Sequence, residues 1–187
     1  GTQTITPQTT GIETLIVTNS SAAGTTLTID LEDEADFNSL TNIASTDSVT
    51  FNNLQQLSSV TLNNTIDTTV IDYDKSVLAG TSDSMTLTLK GLASSTIDIN
   101  SDDATGTYDL ETLNIVTSSA ASTVTDLQTD GVDVATINIS GNKDLTLSAA
   151  ADAEVTTIDA SGLTGALTMS ILPAYTLATV TGGSSND

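Results

Sequence analysis

The sequence predicts an all-β chain wound as a parallel β-solenoid, and three observations carry that prediction. A tetrad of apolar, any residue, Thr, apolar stands at Leu110-Glu111-Thr112-Leu113, Val134-Ala135-Thr136-Ile137, Val155-Thr156-Thr157-Ile158 and Leu177-Ala178-Thr179-Val180. A unit of roughly 22 residues cannot bury its apolar face alone, so copies must stack. The tetrads at Val134 and Val155 each run into an alternating segment of the kind a half-buried strand requires, and a second alternating segment follows after a short Gly-containing turn. Aromatic residues make up only 3% of the chain and Trp is absent, so the expected core is one of Val, Ile, Leu and Ala. Slim side chains of that kind suit a narrow interior between closely spaced β-layers.

Taken in chain order, Ile12-Glu13-Thr14-Leu15 is the first tetrad, and Leu40-Thr41-Asn42-Ile43 and Leu57-Ser58-Ser59-Val60 are weaker copies. Asp33 to Leu40 between them predicts a short helix within a loop. Met85-Thr86-Leu87-Thr88-Leu89 and Thr96-Ile97-Asp98-Ile99-Asn100 alternate as strands. From Leu110 the order is plainer. Thr136 to Ser140 predicts a strand, Gly141 to Asp144 a turn, and Leu145 to Ser148 a second strand. Thr157 to Ser161, the turn from Gly162 to Gly165, and Leu167 to Ser170 repeat the pair. Superposed coils then place Leu113, Ile137, Ile158 and Val180 in one ladder and Leu145 and Leu167 in another. Pro7 and Pro173 fall outside the strand patterns, as a residue without an N–H should.

Two related modules are expected, 1–108 irregular with loop insertions and 109–187 built of regular coils. Glu13-Thr14-Leu15 and Glu111-Thr112-Leu113 each lead into a similar Thr/Ser/Ala tract, which motivates the division. The abrupt start at Gly1 and stop at Asp187 read as a piece of a longer chain.

Among 187 residues, 24 are Asp or Glu and 3 are Lys or Arg, for a formal charge of −21. Such a polyanion repels nucleic acid and anionic membrane, so neither is an expected partner. No apolar run approaches the roughly 20 residues of a membrane-spanning helix. Cys and His are both absent, which removes disulfides, thiolate and imidazole metal sites, and nucleophile–imidazole catalysis. Disorder is the alternative reading of a Ser/Thr-rich acidic chain, and the periodic apolar residues argue against it.

Candidate sites come from the carboxylates, because Asp-rich loops are where hard cations find oxygen ligands. Asp30, Glu32, Asp33 and Asp36 lie in one acidic run that either wraps a cation with loop carbonyls or is a solvated charged face. Asp72 with Asp74, Asp98 with Asp102 and Asp103, and Asp130 with Asp133 around Gly131 offer adjacent or alternating carboxylates beside turns. Asp187 closes Thr181-Gly182-Gly183-Ser184-Ser185-Asn186-Asp187, similar to the opening of the RTX nonapeptide, whose Asp completes a calcium cage shared with a neighbouring turn. The alternative there is a plain Gly/Ser turn. None of these stretches matches an EF-hand loop. Paired acids also raise the possibility of a glycosidase groove, but Phe37, Phe51, Tyr73, Tyr108 and Tyr175 are scattered, and only Lys75, Lys90 and Lys143 supply positive charge.

In order along the chain, Gly11-Ile12-Glu13-Thr14-Leu15, the repeated Val-x-Thr-Ile, Ile137-Asn138-Ile139-Ser140-Gly141, Ile158-Asp159-Ala160-Ser161-x-Leu163-Thr164-Gly165 and the terminal Thr-Gly-Gly-x-x-x-Asp resemble the calcium-dependent, type I-secreted surface-layer (S-layer) proteins of Gram-negative bacteria and related RTX surface proteins. The resemblance covers about 109–187 well and 11–100 loosely. It implies a β-solenoid that forms a cell-surface lattice, calcium in its loops, and RTX repeats with a secretion signal further on. The expected function is therefore a self-assembling structural module, not an enzyme, with cell-surface polysaccharide a partner only through other regions. The alternatives are the stalk or passenger segment of an RTX adhesin and a carbohydrate-active solenoid enzyme.

Overall fold

The computed structural model describes residues 1–102, 109–129, 131–148, 154–170 and 179–187. Its strands, in chain order, are β1 (Thr2–Ile5), β2 (Thr14–Val17), β3 (Thr26–Asp30), β4 (Ser39–Ile43), β5 (Val49–Leu54), β6 (Ser59–Asn63), β7 (Thr69–Tyr73), β8 (Ser84–Lys90), β9 (Ser95–Ser101), β10 (Thr112–Thr117), β11 (Ser122–Gln128), β12 (Thr136–Gly141), β13 (Leu145–Leu147), β14 (Thr157–Leu163), β15 (Leu167–Met169) and β16 (Thr179–Thr181). The odd-numbered strands form one eight-stranded parallel sheet and the even-numbered strands another, each strand pairing with the one two places along. The chain is thus a β-solenoid of about seven turns, around 24 residues per turn. Short turns carry it from sheet to sheet, which is how parallel strands pair here without helical crossovers.

Register follows the apolar alternation. Leu113 stands on Ile137, Ile137 on Ile158 and Ile158 on Val180, while Leu145 stands on Leu167. Each inward row of one sheet meets that of the other, so Leu87, Leu113, Ile137 and Ile158 share a core with Phe51, Ile71, Ile97 and Leu145. Thr, Asn and Ser between them face outward and remain partly exposed, as a period of two demands.

Three expectations change. The stretch from Asp33 to Leu40 forms no helix: a turn at Glu32-Asp33 leads through irregular chain into β4 at Ser39. Leu40-Thr41-Asn42-Ile43 is out of phase: Ser39 pairs with Ser59 and Leu40 with Val60, so the tetrad that superposes on Leu57 to Val60 is Phe37-Asn38-Ser39-Leu40. The core is also less purely aliphatic, because Phe37, Phe51 and Tyr73 are buried in it. The Tyr73 hydroxyl reaches the Met85 sulfur at 3.5 Å, and burial pushes its phenol pKa upward.

Coil length varies where turns absorb extra residues. Val60 pairs with Leu87, not Met85, so Ser84, Met85 and Thr86 at the start of β8 pair only with β10. A bulge between Val124 and Asp126 adjusts β11 on β9, and another adjusts β14 on β12 beside Gly162. Pro7 lies in the turn between β1 and β2; Pro173 is outside the described residues.

The two edges of the solenoid differ. Turns leading from even to odd strands are mostly short and carry buried polar groups, whereas turns leading from odd to even strands are longer and bury Leu31, Phe37, Leu78, Leu110, Val134 and Val155. At the short edge Ser45 Oγ donates to Asn42 Oδ1, Asn42 Nδ2 donates to Thr69 Oγ1 at 3.0 Å, and Ser95 Oγ donates to the Thr65 carbonyl at 2.8 Å. Buried polar atoms are tolerable there because most are paired from coil to coil.

Candidate functional site: the acidic turns

A turn exposes backbone N–H groups that no ladder satisfies. In this chain carboxylates on the neighbouring coil satisfy them. The Thr9 N–H donates to Glu34 Oε1 and the Thr9 hydroxyl to Glu34 Oε2, both at 2.6 Å, and the Gly11 N–H donates to Asp36 Oδ2 at 2.8 Å. Gly24 donates to Asp47 at 2.7 Å, Lys75 to Asp102 at 2.6 Å and Asp83 to Glu111 at 2.6 Å. Toward the other end Ala166 donates to Asp144 and Leu167 to Asp187, both at 2.9 Å. These are charge-assisted bonds, the stronger class. Each spans about one coil of sequence, so each clasps two stacked turns.

Sequence reasoning placed the acids in turns and missed this role. The signal was present: an acid recurs about one coil away from a turn amide, as Asp36 does from Gly11 and Asp102 from Lys75. Composition alone does not show it, because a clasp is visible only once the register is known.

The candidate metal ligands serve different roles. Asp36, Asp102 and Asp187 are clasps, and Asp187 also accepts the Gly183 N–H at 2.7 Å. Asp30 accepts Asn53 Nδ2 at 2.9 Å and the Glu32 N–H at 3.3 Å, while Glu32 and Asp33 are exposed. Asp74 caps the one-turn 3-10 helix Lys75–Leu78 by accepting from the Ser76 hydroxyl and N–H, which hold its carboxyl below the usual range in that order. Asp133 sits in a turn at φ 42°, and Asp103 and Asp130 lie outside the described residues.

Asp72, half-buried on β7, is a strongly perturbed acid. Loss of hydration pushes its carboxyl up to about 6, with the charges of Asp102 and Asp98 on the neighbouring coil adding to the effect. The structure thus brings Asp72, Asp98 and Asp102 near each other. Among the described residues, however, no three carboxylates converge closely enough to hold a metal ion. The donor chemistry suits a hard cation, which takes six to eight oxygens. An intramolecular cage is not assembled among those residues.

No helix of the described residues is long and apolar enough to cross a membrane. Comparison with known proteins gives no match: no family model, no curated protein and no solved structure.

Proposed function

We propose that this chain is a structural, non-catalytic segment of a secreted bacterial cell-surface protein of the surface-layer type, assembling with further copies when calcium screens and bridges its acidic turns. One observation carries the reading. Carboxylates that would furnish a catalytic or chelating centre instead join turn to turn, which is what a rod under tension needs. Calcium enters as an ion between acidic turns, where clasping carboxylates such as Asp36, Asp102 and Glu111 keep one oxygen for an N–H and can offer the other. The resemblance to calcium-dependent S-layer proteins supports both the location and the ion. The adhesin stalk is the second reading, favoured by coils that pair only with their immediate neighbours, the arrangement of an extender rod.

Sedimentation velocity of the chain tests it. In chelator and low salt the expected state is a monomer, kept apart by a charge of −21. Calcium in the millimolar range, the affinity class of extracellular modules, should drive reversible association, with magnesium less effective because it sheds water reluctantly. A monomer at every calcium concentration would remove the lattice and leave the stalk.

A further inference from the structure

We propose that the outer face of the even-strand sheet is the surface on which a second copy of this chain docks. This rests on the self-assembly reading above and gives it a location. Charge is the first argument. Asp159 is the one acidic residue in the eight strands of that sheet, and Lys90 the one basic residue, whereas the odd-strand sheet carries Asp30, Asp72, Asp98 and Asp126 in its strands and the turns carry most other acids. A molecule of charge −21 therefore keeps one long face nearly neutral. Packed sheets sit about 10 Å apart, comparable with the Debye length of about 8 Å at physiological salt. Carboxylates facing each other across such a contact are only partly screened and would still repel. Only the even-strand face avoids that.

Shape is the second argument. Thr112, Thr136, Thr157 and Thr179 lie in register as one outward column, with Asn114 and Asn138 beside them in the next. Asn138 Nδ2 donates to Asn114 Oδ1 at 3.0 Å, which fixes the amides along the stack. Short β-branched side chains at a regular strand spacing of about 4.8 Å make a flat corrugated surface. An identical face turned by a two-fold axis presents the same spacing and interdigitates with it. Eight strands of about five residues give a footprint that buries about 1,100 Å² for the pair, the size of weak and reversible association. A neutral polysaccharide would also escape charge repulsion, but sugar rings are gripped by aromatic platforms, and among the described residues the aromatic side chains, Phe37, Phe51 and Tyr73, are buried.

The test uses the whole chain. Thr86 and Thr88 lie on β8 near the middle of this face, and Thr50 occupies an outward position on β5 of the other sheet. In chelator with about 0.5 M sodium chloride, where the Debye length falls to about 4 Å, the unaltered chain should self-associate without calcium. Thr86→Glu with Thr88→Glu should weaken that association at least tenfold, whereas Thr50→Glu should change it less than twofold. Circular dichroism melts check that each variant folds. The chain has no cysteine, so single Thr86→Cys and Thr50→Cys variants give a second reading that adds no charge: a bis-maleimide cross-linker long enough to span the gap of about 10 Å between packed sheets should join the first into a dimer and leave the second monomeric. Association driven by calcium and untouched by the two glutamates would overturn this face while leaving the calcium reading intact. A monomer in both calcium and sodium chloride would overturn both, and binding of the monomer to insoluble polysaccharide, lost in the two-glutamate variant, would reassign the face to a glycan.

Discussion

Ala44, Asn64 and Gly91 directly follow β4, β6 and β8 and turn the same corner at φ 53°, 53° and 70°. A left-handed backbone costs an L-residue with a Cβ roughly 1–2 kcal/mol, which glycine avoids and asparagine partly tolerates. Ala44 is the misfit of the column. Ala44→Gly should therefore raise stability by about 0.5 kcal/mol after the entropic cost of glycine, read from denaturant unfolding. The opposite change at Gly141 should fail, because its φ is 117° and an added Cβ would lie 2.2 Å from the Thr117 carbonyl oxygen. Gly141→Ala should cost at least about 2 kcal/mol. Asp72 makes a third residue-scale prediction, with the opposite sign to most carboxylates. A folded pKa of about 6 above the ordinary 3.8 means its contribution is fully present below pH 3.8 and is lost as pH rises through about 6. Asp72→Asn should accordingly stabilise the chain at pH 8 and make little difference near pH 3.5. Asp159 runs the usual way: the Ser161 N–H and hydroxyl lower its pKa, so its contribution fades as the solution becomes acidic.

At the scale of strands and turns, the C-terminal ladder was legible because its turns are short and its tetrads keep one phase. Ile137 is fully buried between Leu113 and Ile158, so Ile137→Asp places an unpaired carboxylate in an apolar stack and should unfold the adjoining coils, a loss of about 4 kcal/mol or more in thermal or denaturant melts. Asn138→Asp, one residue away on the outside, should cost about 1 kcal/mol or less, since Asn114 can turn its amide to donate. Near β4 the reading went wrong for a physical reason. Asn42 points inward, 1% exposed, and is paid for by Ser45 and Thr69, so the apolar alternation breaks at the very place that marks the phase. Phe37 in place of an aliphatic residue and Ser39 in place of Thr hid the true tetrad as well. The joint between the first two coils depends on Glu34, which accepts two bonds from Thr9 while only 4% exposed. Glu34→Gln keeps the shape but replaces one of those acceptors with a donor, and should destabilise that end by about 1–2 kcal/mol.

Over the whole molecule, charge and architecture were visible in composition and period, whereas the use of the charge was not. A net charge of −21 opposes compaction, yet the fold distributes its acids along turns, where several neutralise partial positive charge on backbone N–H groups. Which acid meets which amide depends on coil lengths that range from 19 residues between Leu54 and Tyr73 to 30 between Ile97 and Leu127, and such variation is set by insertions no fixed repeat anticipates. The central claim is that carboxylates hold stacked turns together. Amide hydrogen exchange at neutral pH tests it most directly, because the N–H groups of Gly11, Gly24, Lys75, Asp83 and Ala166 lie in turns outside any strand ladder. Clasped amides open only when neighbouring coils part, so they should be protected to a degree approaching the strand amides beside them. Exchange of those five at the rates of an unstructured loop, with the strands still protected, would contradict the account.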